Sequence, residues 1–202
     1  IPLTYAMTIN VCFVLGAILV PKLWTVVEYL FPFAMAGFLA VGMYAMRLFL
    51  EYATRVIVQK SFDFVQNNNL SQMIAIFAFS MVAVGLAAPG AMSHYKQVSA
   101  IGIFLSVFFS TVSISLIIFK VTLGFKSILE QGISREASVS LWIMIPILTL
   151  LGITFVRYTY GFAHNFDHAT EVSKSWLFLL TSAVVSLQIM FGLLGCYTMK
   201  KL

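Results

Sequence analysis

Residues 138–161 read SVSLWIMIPILTLLGITFVRYTYG. The stretch is apolar, with Pro146 near its centre and Gly152 six residues later, and it ends in Arg157-Tyr158-Thr159-Tyr160. A proline in mid-span removes a rung of the helical hydrogen-bond ladder and leaves a carbonyl without its donor. In hydrocarbon such a break is tolerated only where protein or a water-filled cavity faces it. The stretch is therefore expected to look into the interior of a helix bundle and onto a pathway.

The composition points the same way. Of 202 residues 61% are hydrophobic and 9% charged, and the mean hydropathy is +0.99. Soluble domains carry about a quarter charged residues, so the fold class is all-α integral membrane. The formal charge of +5 falls between the apolar stretches. It fits lipid headgroups and membrane topology rather than nucleic acid. Cys12 and Cys196 sit inside apolar stretches without metal-ligand spacing and read as small apolar fillers. The chain opens on Ile1-Pro2 with no charged leader. It is read as having no signal peptide and as lacking residues that precede Ile1.

A spanning helix needs about 20 apolar residues. Six stretches qualify: 4–20, 24–49, 70–88, 95–119, 138–157 and 176–198. The turns Pro21-Lys22-Leu23 and Pro89-Gly90-Ala91-Met92-Ser93-His94 are short and built of turn formers. The expected domain is thus a single transmembrane unit of three antiparallel hairpins, 1–69, 70–137 and 138–202. The hairpins open at intervals that suggest a repeated unit. Arg47, Arg55, Lys60, Lys120, Lys126, Arg135, Lys200 and Lys201 gather on one side, against Lys22, Lys96, Arg157 and Lys174 on the other. The richer side is cytoplasmic by the positive-inside rule, which puts the C-terminus there.

Chemistry-bearing residues are few, and no nucleophile motif, phosphate loop or spaced carboxylate pair points to an enzyme. His164, Asp167 and His168 have helical spacing that could hold a metal, but they read first as a polar loop wetted by water and headgroups, and no metal is expected. Haem would require axial ligands inside spans, whereas His94, His164 and His168 lie in or near turns. Glu28 and Arg47 lie near span ends and can snorkel. Asn10 and Thr149 are polar groups in the first and fifth spans. The first, third and fifth spans stand out by their breaks: Pro2 and Gly16, Gly85 before Pro89-Gly90, and Pro146 with Gly152. Broken helices with few charges suit a pore that passes a solute by weak dipoles.

On these residues the chain resembles the tellurite-resistance and dicarboxylate transporters (TehA-like), a family that includes the slow anion channels of plant guard cells. The similarity lies in Asn10 with a short turn and a long second span ending in Arg47-Leu48-Phe49-Leu50. It also lies in Leu141-Trp142, Pro146, Phe162-Ala163-His164-Asn165 and Ile189-Met190-Phe191-Gly192-Leu193-Leu194 before a basic tail. The resemblance implies a ten-helix fold of five hairpins around a pore, of which this chain holds the last three. It also implies a trimer of separate pores in a bacterial inner membrane, and no cofactor.

The first helix of each hairpin would line the pore, and an aromatic plug would precede the proline of the ninth helix. Ile145 stands at that position, which departs from the family's phenylalanine. Pro146 would shape the constriction, Phe155 or Phe79 could supply the plug, and Arg157 would attract anions at the mouth. The expected function is an anion channel or passive anion transporter for small inorganic or organic anions. Two other readings stand beside it: a membrane subunit of an electron-transfer complex holding haem or quinone near His164 and His168, and a scaffolding subunit without its own chemistry.

Overall fold

The structure, a computed structural model, describes residues 1–20, 26–59, 73–133, 135–166 and 172–201. Of these, 94% are helical and none forms a strand. The elements are α1 (Pro2–Leu19), α2 (Val27–Gln59), α3 (Ile74–Met92), α4 (Lys96–Gln131), the single turn α5 (Arg135–Ser138), a 3₁₀ segment (Val139–Ile143), α6 (Met144–Asn165) and α7 (Lys174–Lys201). Among the described residues, five helices are long and apolar enough to cross a membrane: α2, α3, α4, the 3₁₀–α6 unit and α7. This fits an integral membrane protein. The apolar part of α1 is shorter, Pro2–Gly16.

The helix ends depart from the expected boundaries. α2 runs to Gln59 and α4 to Gln131, where the sequence reading had placed charged connections. Those charges are compatible with helix because they pair along it: Arg47 Nε lies 2.8 Å from Glu51 Oε1, and Lys126 Nζ lies 3.9 Å from Glu130 Oε1, both four residues apart. α6 runs through Phe162-Ala163-His164 to Asn165, so the start of the supposed outer loop is helix. The turn Pro21-Lys22-Leu23 lies outside the described residues.

The prolines also behave differently from the expectation. Pro146 is the third residue of α6. α6 follows the 3₁₀ segment without interruption, so within the Val139–Asn165 span Pro146 removes one donor where the tighter 3₁₀ turn gives way to the α-helix. Pro89 lies inside α3, and the turn that follows is confined to Ser93–Tyr95. Pro32 lies inside α2, so breakage is not confined to the first, third and fifth helices.

α3 is the centre of the molecule. Of its apolar window 72% is buried, against 28–33% for α2, α4 and α6 and 6% for α7. It packs on α1, α2, α4 and α6, while α7 rests on α6 and the 3₁₀ segment. Phe38, Phe79, Leu86 and Phe109 join α2, α3 and α4. Met144, Ile147, Leu151 and Phe191 form a second core beneath α6 and α7.

Close approach is made possible by small residues. An added Cβ on Gly161 would lie 2.6 Å from the carbonyl oxygen of Gly90, and one on Gly102 would lie 3.0 Å from that of Leu86 and 3.2 Å from the nitrogen of Gly90. Helices α3, α4 and α6 therefore cross backbone against backbone, as membrane helices do at small residues. Three α4 serines face this junction. Ser106 donates to the Ala83 carbonyl (2.6 Å) and Ser99 to the Gly90 carbonyl (2.7 Å); the Ser113 hydroxyl lies 2.6 Å from that of Ser80.

Candidate functional site

Proline 89 cannot donate to the carbonyl of Gly85, and its ring crowds the preceding turn. One residue earlier, the carbonyl of Val84 accepts a hydrogen bond from Nη1 of Arg157, which reaches across from α6. Arg157 stands eight residues before the end of α6, about 12 Å along the axis. Among the described residues the ion pairs are Arg47–Glu51, His94–Glu28 and Lys126–Glu130, so no described carboxylate pairs with Arg157. A cation within an apolar span ordinarily marks a functional position.

The guanidinium borders a cavity of about 290 Å³ between α1, α2 and α3. α1 contributes Asn10, Phe13, Val14 and Ile18; α2 contributes Val27, Phe31, Ala34 and Phe38; α3 contributes Gly85, Ala88, Pro89 and Met92. Arg157 is the only charged side chain among these. The amide of Asn10 donates to the Ala6 carbonyl at 3.0 Å, which occupies one of its two amide hydrogens. The structure thus joins two residues that the sequence reading had placed far apart in role, Asn10 and Arg157.

The other candidates lie elsewhere. Ile145 and Thr149 face α7: Gln188 Nε2 donates to Thr149 Oγ1 at 2.7 Å and to the Ile145 carbonyl at 3.3 Å. An added Cβ on Gly192 of α7 would lie 3.8 Å from Ile145 Cδ1. Ile145 is twelve residues before Arg157, about 120° around the helix, and Pro146 follows it in the first turn of α6. Phe79 is fully buried, stacked on Phe109 at 6.3 Å with Phe49 edge-on at 5.9 Å. Phe155 packs edge-on to Tyr158 at 5.8 Å, whose hydroxyl lies 2.7 Å from that of Ser106 and 3.1 Å from that of Ser110. Neither phenylalanine lines the cavity.

The histidines meet at one end of the bundle, where the start of α2, the α3–α4 turn and the end of α6 converge. Glu28 Oε2 accepts from the Ser93 hydroxyl (2.8 Å), and Oε1 from the His94 backbone N–H (2.6 Å), with His94 Nδ1 2.8 Å from the same oxygen. The His164 ring stands edge-on to His94 at 5.6 Å. Asn165 Nδ2 donates to the Ser93 carbonyl (3.1 Å) and to Ser99 Oγ (3.0 Å). Sequence reasoning treated Glu28 as a snorkelling acid and missed this cap, whose partners are 65 and 66 residues away. Asp167 and His168 lie outside the described residues. Among the described residues no group of three or more His, Cys, Asp or Glu side chains is placed to hold a metal.

The fold and site define a helical protein with several membrane-length apolar spans and a cavity bordered by a half-buried arginine. Comparisons with protein-family models, curated proteins and solved structures gave no match.

Proposed function

We propose that this chain passes an anion across the membrane passively, with Arg157 as the group that receives it. The observation that carries the reading is Arg157 itself, a cation well inside α6 with no described carboxylate partner, bordering a cavity. The proposal keeps the expected six spans in three antiparallel hairpins, with the Arg47, Lys126 and Lys200 end in the cytoplasm. Helix lengths support the pairing, since a shorter first helix precedes a longer second one in each case: 18 and 33 residues, 19 and 36, 22 and 28. α1, α3 and α6, the first of each pair, contribute to the cavity wall, together with Val27, Phe31, Ala34 and Phe38 of α2, a second helix. The proposal keeps a pathway along the first helices, as in the slow-anion-channel family that the sequence resembles, with α2 closing one side of it. The trimer belongs to the same proposal, and the outer face of α7, exposed at Phe178, Leu179 and Ile189, offers surface for it.

The test is chloride and nitrate efflux from liposomes holding the purified protein. Arg157→Gln should lower flux about tenfold or more, because a hydrogen bond to a charged group contributes about 1.5–3 kcal/mol. Arg157→Lys should retain part of it. Unchanged flux in a folded Arg157→Gln protein would remove the site from the pathway. Ile145→Ala should leave flux unchanged and lower heat stability modestly, because the side chain packs on α7 rather than on the cavity. Raised flux in that variant would return the constriction to the Ile145-Pro146 step.

A further inference from the structure

The cavity says more than that an anion binds. Among the described residues its wall is apolar apart from Arg157 and Asn10, and three aromatic residues, Phe13, Phe31 and Phe38, border it. A small hydrated anion entering this chamber would exchange a full water shell for one guanidinium and one amide. Burying a charge is favourable only when it is well paired and hydrogen-bonded. The remaining wall replaces little of the lost water, so such an anion is held weakly and passes through rather than saturating the site. A dicarboxylate fares worse, because no second cation stands among the described wall residues to take the second carboxylate. A single carboxylate attached to an apolar body matches both parts: the head forks onto the guanidinium and the body fills the rest. The volume lies near the lower end of the range of about 300–1,000 Å³ usual for small-molecule sites, which suits a medium-length chain or one ring.

We infer that the α1–α2–α3 cavity binds an amphiphilic monocarboxylate, head on Arg157 and apolar body between Phe13, Phe31 and Phe38. The inference rests on the reading of Arg157 as the anion-receiving group and narrows it to a substrate class. The same head could come from a water-soluble organic acid or from an acidic lipid. The experiment separates these.

Detergent-solubilised protein, purified with zwitterionic lipid only, is titrated calorimetrically with octanoate, acetate and chloride. The expected result is saturable octanoate binding, with acetate and chloride weaker about tenfold or more, since each buried methylene tightens binding about fourfold. Arg157→Gln and Ala88→Phe, the first removing the cation and the second filling the cavity, should each abolish saturation. Two further arms are the chloride efflux assay on the same preparations and native mass spectrometry with phosphatidylglycerol added.

Equal binding of chloride, acetate and octanoate, together with Arg157-dependent efflux, would overturn the amphiphile and leave the anion reading standing. Octanoate binding that survives in both variants would place it elsewhere and overturn the inference. Phosphatidylglycerol retained by the parent protein, lost in Arg157→Gln and not displaced by octanoate, would replace the free acid with a lipid headgroup. Loss of both octanoate binding and Arg157-dependent efflux would remove both readings. Should Ala88→Phe fail to fold, Ala88→Leu serves the same purpose with a smaller intrusion.

Discussion

Gly161→Ala is expected to unfold at a markedly lower temperature than the parent protein, although alanine is the better helix former. Alanine in place of an interior glycine gains about 1 kcal/mol of helix propensity. Against that, the new Cβ would stand 2.6 Å from the Gly90 oxygen and 3.1 Å from its carbonyl carbon, with Ile103 Cδ1 at 3.0 Å. A flexible side-chain end can swing aside, but a backbone carbonyl moves only if α3 and α6 separate. Overpacking of this kind costs about 1–3 kcal/mol, and separation also disturbs what spans the same interface. That includes the bonds from Arg157 to the Val84 carbonyl and from Asn165 to the Ser93 carbonyl. The variant should therefore lose heat stability and anion flux together.

Gly37→Ala is the matched control. Its Cβ would meet only Ile9 Cδ1 at 3.4 Å, an ordinary contact, so helix propensity should dominate and stability should hold or rise. Thermal melts in detergent decide the matter. A Gly161→Ala protein as heat-stable as the parent would mean that the α3–α6 crossing is looser than described.

Five of the six expected spans were legible in the sequence because hydrocarbon imposes length and composition directly. Their ends were not, because charge was taken as the sign of a loop. Arg47 with Glu51 and Lys126 with Glu130 show why that sign fails: charges spaced four apart are helix partners. Pro89-Gly90 misled in another way. Proline and glycine punctuate turns in water, yet here Pro89 is tolerated inside α3, and Gly90 is where α4 and α6 come close.

Asn10 could be picked out as the one amide in the first span, and Arg157 as a charge beside apolar residues. Their meeting across a cavity could not, since it depends on the tertiary placement of α1, α2, α3 and α6. Glu28 illustrates the same limit. Nothing near it in the chain announces that Ser93 and His94 will donate to it. The Ile145-Pro146 step was read from a proline at the centre of an apolar stretch. The structure puts the change from 3₁₀ to α-helix at Met144, two residues before that proline.

Phe79→Ala separates a plug from a core residue, and the expected result is a large loss of stability without any gain in conduction. Phe79 is 0% exposed. Its ring stacks on Phe109 with an interplanar angle of 18° and takes Phe49 edge-on at 84°, within a cluster that includes Phe38, Val82 and Leu86. Truncating a buried phenylalanine to alanine costs about 3–5 kcal/mol, from lost transfer energy and from the hole that remains. An aromatic gate in a pore would behave differently. Its removal would open the path, raise chloride efflux and barely change the melt, because a gate residue borders a lumen and not a close-packed core.

The geometry favours the first outcome, since Phe79 is enclosed by α2, α3 and α4 and is absent from the wall of the Arg157 cavity. If Phe79→Ala does not accumulate, Phe79→Leu keeps much of the volume and permits the same comparison of melt and efflux. Efflux raised above the parent level with an unchanged melt would identify Phe79 as the plug and would move the pathway from the Arg157 cavity to the far side of α3.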